Sequence, residues 1–383
     1  MHFFFIDLYI GLDHLAPVIY SLNKKEHKTE IYSLNPVHDY RKDPLIKFLT
    51  HNNKNFYKGF LFLGIINTFY LFVLKIILKF PKFLLIKLNR LWTYLYRKKI
   101  FFSEKALFNF LNNKKIISIT IDESLNINKI KIIAIVCNKL KIKLVVISTG
   151  LYTIKNKKIT FIKEFDKIDF FLSSNNLCNF DNTKNSSKYK VLGCPRYSFE
   201  WIEELNKIFK KKLEKRKKLN IGYFVRSTAY NYKDHLSLIK KIKNFSFIDI
   251  KIRNKPREIV PSKISDFSSD ELNSTELINW ADIIISTPSS ILVESVQKNK
   301  TTICLEYLFS EPDDKVNHFS EFYEIFCLAN SDKDVIYFIE NYDYLNKKNI
   351  KPDKKNEFFN LFIHTSQNND DLLEKYANFY HEI

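Results

Sequence analysis

The chain has 383 residues, 45% hydrophobic and 27% charged, with six glycines and a formal net charge of +19. This length suits two domains, each with its own core, and the composition excludes collagen-like, low-complexity and wholly disordered chains. The basic balance points to an anionic partner, although a Lys-, Asn- and Ile-rich composition spreads charge without making a patch.

The opening "MHFFFIDLYIGL" predicts a buried strand: it lacks a basic leader region and a small-residue cleavage site, and Asp7 interrupts it. "GLDHLAPVIYSLNKK" comes next as a glycine turn, an Asp13 cap and a helix, and "TEIYSL" as a second strand. Residues 44–103 differ: sixty residues with eleven Lys or Arg and no Asp or Glu. A spanning helix needs about 20 apolar residues. The apolar run from Gly59 ends at Lys75, and Pro81 breaks the lysine-bearing stretch beyond it. Basic heads, an apolar body and Trp92, Tyr94 and Tyr96 predict helices lying on a membrane surface. The plainer alternative is core helices whose lysines reach outward.

Strand and helix then alternate. "KKIISITIDE", "IKLVVISTG", "IDFFLSS" and "KVLGCPRYS" predict strands, with a helix in "NINKIKIIAIVCNKL" and another in "SFEWIEELNKIFKKKLEKRKK". The pattern restarts near residue 215 with "LNIGYFVRST", "SFIDIKIRNKPRE", "DIIIS" and "TTICLE" as strands. Two βα series predict an α/β fold of two doubly wound, Rossmann-like domains facing across a cleft, 1–215 and 216–383.

Ligands bind beyond the carboxyl ends of strands in such sheets. In "IISTPSSILVES" small residues at a helix start let backbone N–H groups approach an anion. Thr287, Ser289 and Ser290 therefore form the candidate phosphate side, one serine capping the helix. Glu294, four residues after Ser290, can accept hydrogen bonds from ribose hydroxyls; an ordinary capped helix with a solvated acid is the alternative. Arg226, Lys255 and Arg257 lie at neighbouring strand ends, where cations stabilise a pyrophosphate leaving group. Gly193 and Arg196 form a turn toward the cleft, and Thr149 and Gly150 end a first-half strand on the acceptor side. Asp122 and His14 are the candidate general bases. Cys137, Cys178, Cys194, Cys304 and Cys327 contain no CxxC pair and read as reduced thiols of a cytosolic protein. With neither a metal-ligand spacing nor a GxGxxG or P-loop motif, no metal, cofactor or dinucleotide is expected. The apolar interleaving of the basic segment argues against nucleic acid.

"KVLGCPRYS" resembles the VxGxPR turn of GT-B-type glycosyltransferases of bacterial surface-carbohydrate (capsule) biosynthesis, relatives of capsule transferases and CDP-glycerol glycerophosphotransferases. "WADIIISTPSSILVESVQKNKTTICLE" is similar to their second-domain signature and "IDLYIGLDHLAPVIYSL" to their opening unit. Lys255 stands where the family carries the histidine of a KxHPRE element, and Thr149 where relatives carry His before Gly. The resemblance implies a metal-independent transferase taking a CMP-, CDP- or UDP-linked sugar or polyol donor. Its acceptor would be a glycan or lipid-linked glycan. A nucleotide-sugar 2-epimerase or a non-catalytic scaffold on the same fold are the alternatives.

Overall fold

The computed structural model describes residues 1–7, 9–34, 40–51, 54–58, 103–148, 166–175, 187–209, 218–225, 232–254, 272–309, 318–347, 352–363 and 371–383. The first half runs β1 (His2–Ile6), α1 (Tyr9–Lys24), β2 (Thr29–Ser33), α2 (Pro44–Leu49), β3 (Phe56–Lys58), α3 (Glu104–Leu111), β4 (Ser118–Asp122), α4 (Ile127–Leu140), β5 (Lys143–Ile147), β6 (Phe170–Ser173), β7 (Tyr189–Val191) and α5 (Phe199–Ile208). The second runs β8 (Leu219–Val225), α6 (Tyr232–Lys243), β9 (Ile248–Asn254), α7 (Ser274–Trp280), β10 (Ile283–Ser286), α8 (Ser290–Gln297), β11 (Thr301–Leu305), β12 (Cys327–Ala329), α9 (Asp332–Glu340), α10 (Tyr342–Lys347), α11 (Pro352–Ile363) and α12 (Leu372–Glu382).

The central strands are short continuous apolar runs because parallel sheets are covered on both faces. In β1, Phe3 and Phe5 enter one core with Ile119, Ile121, Leu144 and the α4 side chains. Phe4 and Ile6 enter the other, with the apolar faces of α1 and α12. Side-chain caps fix several helix starts: Ser103, Asn126, Ser198 and Ser331, and an Asn273–Glu276 capping box at α7.

Every strand pairing among the described residues is parallel. The first sheet has the order β3-β2-β1-β4-β5-β6-β7 and the second β12-β11-β10-β8-β9. The chain leaves β1 in one direction and β4 in the other, so the first crevice opens between those two strands. In the second sheet the reversal falls between β8 and β10. These topological switch points are where doubly wound sheets bind ligands.

Three features differ from the sequence reading. Residues 44–51 and 54–58 are not part of an appended segment: α2 packs in the core of Phe4 and Ile6, and β3 pairs with β2 as an edge strand. Residues 59–102 lie outside the described residues. Asp13 does not cap α1, which begins at Tyr9; it lies inside the helix, four residues before Pro17. The last helix, α12, returns to the first sheet, where Leu373, Tyr376, Phe379 and Tyr380 join the core of Phe4 and Leu15. The division expected near 215 falls outside the described residues, between β7 and β8. Among the described residues no helix is long and apolar enough to cross a membrane.

Beneath the second sheet, His235 of α6 is buried and its Nδ1 lies 2.7 Å from the Tyr223 hydroxyl. Burial lowers its pKa to about 4, against a small opposing effect of Asp234. The folded state therefore binds fewer protons than the unfolded one between pH 6.5 and 4. Stability is complete above that window and is lost as pH falls through it, by on the order of 3 kcal/mol from this group. His2, lowered to about 4 by burial, the terminal amine and His27, titrates in the same window. Urea unfolding at pH 7, 5.5 and 4 should show His235→Gln flattening the slope by about one proton; an unchanged slope removes His235 from the acid transition.

Candidate functional site

At the first switch point β1 ends beside Asp7 and β4 ends in Asp122. Asp122 is fully buried; its Oδ1 accepts from the Ser124 amide at 2.8 Å and from the Ser124 hydroxyl. Its Oδ2 lies against the first turns of α1, where a Cβ added to Gly11 would come within 2.2 Å of it. Gly11 is therefore not simply a turn glycine: a residue without a side chain makes room for the strand-end carboxylate. Lys129, on the first turn of α4, donates to Asp7 Oδ1 at 2.7 Å with both side chains buried. Burial lowers the Lys129 pKa and the Asp7 carboxylate opposes that. His14 is also buried, on α1. On the neighbouring strand ends the Ser148 hydroxyl accepts from the Ser174 amide at 2.9 Å.

At the second switch point β10 gives way to Thr287, which is 2% exposed and whose hydroxyl oxygen has no hydrogen-bond partner among the described residues. Leaving such a hydroxyl unpaired costs about 1–3 kcal/mol, so its presence at a strand end points to a ligand group. Ser289 is the N-cap of α8, yet its hydroxyl makes no cap bond. It lies 3.1 Å from the Ser286 hydroxyl instead. The expected serine cap is thus absent here. Glu294 is buried on α8; its Oε1 accepts from the Thr275 hydroxyl at 3.2 Å and pairs with Lys298 at 3.3 Å. The i, i+4 spacing of Glu294 and Lys298 is visible in the sequence; Thr275, nineteen residues away on α7, is not.

The Gly-Cys-Pro-Arg turn joins the two. Gly193 has φ 94°, the left-handed region that favours glycine. Its carbonyl accepts from the Tyr376 hydroxyl at 3.0 Å, and the Cys194 amide donates to the Ile363 carbonyl at 3.2 Å. Arg196 pairs with Asp13 of α1 at 3.5 Å. Tyr197 donates to the Ser290 carbonyl at 3.3 Å, and Gln297 donates to the Tyr197 carbonyl. Burial works against the Arg196 charge, but Tyr197, Asp13 and Glu294 outweigh it and raise its pKa. The turn therefore connects Gly193 and Arg196 to Asp13 on one side and, through Tyr197, to Ser290 on the other. Thr149, Gly150, Arg226, Lys255 and Arg257 lie outside the described residues. Among the described residues no cluster of His, Cys, Asp and Glu could hold a metal ion.

No protein-family model matches the chain, and no curated protein matches it. Solved structures do. The Staphylococcus aureus MnaA–UDP co-structure aligns with a TM-score of 0.61 at 9% identity, covering 100% of this chain and 96% of that one. The UDP-GlcNAc 2-epimerase of Methanocaldococcus jannaschii aligns at 0.61 and 13%, covering 100% of both chains. A glycosyltransferase from Rickettsia africae aligns at 0.54 and 14%, covering 100% of this chain and 97% of that one. The chain thus has the fold shared by these GT-B-like enzymes, two Rossmann-like domains. At such identities the likeness defines architecture; function rests on the residues of the two switch points.

Two stability outcomes are expected at the first switch point. Gly11→Ala should cost about 1–3 kcal/mol in urea unfolding, and Asp122→Ala in that background should recover part of the loss. Lys129→Met alone should cost about 3–5 kcal/mol by leaving Asp7 buried without its cation, while the Asp7→Leu, Lys129→Met pair should cost less than the single change. Equal losses in single and double variants would show that the ion pair does not couple the two positions.

Proposed function

We propose that the protein is a glycosyltransferase, or polyol-phosphate transferase, that uses a nucleotide-activated donor in surface-polysaccharide biosynthesis. The observation that carries the donor half of this reading is the buried, unpaired Thr287 hydroxyl at the switch point of the second sheet. It sits at the mouth of helix α8, whose N-cap hydroxyl makes no cap bond. A diphosphate there would meet N–H groups, Ser289 and Ser290. Glu294, one turn on, would address the ribose. Arg226, Lys255 and Arg257 would supply positive charge as the nucleotide leaves. The acceptor, a glycan or lipid-linked glycan, would enter over the first switch point, with Thr149 and Gly150 beside it and Asp122 or His14 taking its proton. Residues 59–102 would hold the protein against the inner face of the membrane.

A 2-epimerase is the second reading, favoured by the structural neighbours named for that activity and by full-length coverage of both chains. Such an enzyme needs no acceptor and no membrane.

Calorimetric titration with UDP, CDP and CMP should show one of them binding, with Ser290→Ala and Glu294→Gln each weakening it about tenfold. No binding by the unaltered protein would remove the nucleotide-donor reading. Incubation with UDP-GlcNAc in the absence of acceptor separates the other two: a 2-epimer product supports the epimerase, and an unchanged sugar supports transfer. In an acceptor assay Asp122→Asn should abolish transfer while nucleotide affinity persists; if His14→Gln does so instead, the base is His14.

A further inference from the structure

Lys298 closes α8 as its C-cap, one turn beyond Glu294. Its ammonium lies 3.3 Å from Glu294 Oε1, with 9% of the lysine and 5% of the glutamate side chain exposed. A Glu–Lys pair at this spacing is common on a solvated helix face. Here burial shields the pair from salt and makes each charge depend on the other. An ammonium has three donors. The other oxygens beside it are Asn279 Oδ1 of α7 at 2.9 Å and Asn206 Oδ1 of α5 at 3.4 Å. The two amides are themselves joined, Asn279 Nδ2 donating to Asn206 Oδ1 at 2.9 Å. Residues of three helices therefore fix the end of a long, flexible side chain in one place.

The carboxylate is held by the same oxygen twice. Thr275 of α7 donates to Glu294 Oε1 at 3.2 Å, the atom that also faces Lys298. Among the described residues both contacts fall on Oε1, so Oε2 is the oxygen left to meet a ligand. Lys298 stands at the end of α8 away from the switch point, and so occupies none of the space a donor would need there. We propose that Lys298 is a positioning residue: by holding Oε1 it leaves Oε2 to the ribose hydroxyls, and the site thereby selects a ribonucleotide over one that lacks them. This rests on the nucleotide-donor reading and adds to it a residue that touches the carboxylate and not the donor. A carboxylate already fixed in direction loses little freedom when it accepts a hydrogen bond, whereas a rotating one loses part of the bond's worth in being ordered.

The test is the affinity of the full chain, by calorimetry, for whichever of UDP, CDP and CMP binds, against the 2′,3′-dideoxy analogue of that nucleotide. The unaltered protein should prefer the ribonucleotide by about tenfold, the worth of a hydrogen bond to a charged group. Lys298→Met should cut the preference to about twofold or less, by weakening the ribonucleotide and not the analogue. Lys298→Arg should restore part of it, because a guanidinium can still donate to Oε1. A lysine that only stabilised the fold would, when lost, weaken both nucleotides alike and leave the ratio as it was. Should Lys298→Met not fold, the Asn206→Ala, Asn279→Ala pair decides: both amides are on exposed residues, and their loss should lower the ratio about threefold. An undiminished preference in folded Lys298→Met, or in the amide pair where that variant does not fold, overturns the proposal and leaves the donor reading standing. Binding by the unaltered protein with no preference for the ribonucleotide overturns it together with the ribose role of Glu294. No binding of UDP, CDP or CMP by the unaltered protein overturns the donor reading and the proposal together.

Discussion

The conformation of Gly193 is the constraint on which the junction between the two sheets depends. A side chain there would have to occupy a left-handed backbone region that costs roughly 1 kcal/mol or more for any residue but glycine. Accepting that φ aims the Gly193 carbonyl at Tyr376 and the next amide at Ile363. Pro195 and Arg196 then leave toward α1 while Tyr197 faces α8. Within the turn, Cys194 is a packing residue and no nucleophile: burial pushes its thiol up to about 12, against the opposing effect of Arg196.

Each sheet concentrates polar groups where its connections reverse, but with different chemistry. The first holds a buried ion pair and a carboxylate, Asp7, Lys129 and Asp122, within a shell of Phe and Ile. Charges so placed persist only when partnered, and they give that end a fixed geometry at some cost in stability. The second holds hydroxyls, Ser286, Thr287 and Ser289, and on α8 the buried Glu294–Lys298 pair. Hydroxyls donate and accept by rotation alone, so these three can change partners without moving a charge.

Most strands and helices are legible in the sequence because apolar runs and helical periods are local signals. Of the features that are not legible, some are long-range and some are local choices between competing partners. Asp7 reads in the sequence as an interruption of an apolar strand, and Lys129 as one lysine among many; only folding places them 2.7 Å apart across 122 residues. Asp13 looks like a helix cap because it precedes a helical pattern, yet the helix starts four residues earlier. Residue type predicts a cap at Ser289, but its hydroxyl lies against that of Ser286, three residues back. At the site, the order of "GCPR" and "TPSSILVE" along the chain is informative. Their mutual contacts through Tyr197 and Ser290 are hidden, because 93 residues separate the partners.

The return of α12 to the first sheet has a further consequence. Tyr376 and Tyr380 lie in a core otherwise built from the first half, and Tyr380 meets the Thr120 hydroxyl at 2.6 Å. The first domain is therefore made of two separate stretches of chain, and the second is an insertion between them. Exchange of the halves that carry the second sheet by a single crossover would strand this helix, leaving the receiving core without the side chains of Leu373, Tyr376, Phe379 and Tyr380. Viable recombination needs two crossovers, one on each side of the inserted half, and the final helix travels with the beginning of the chain.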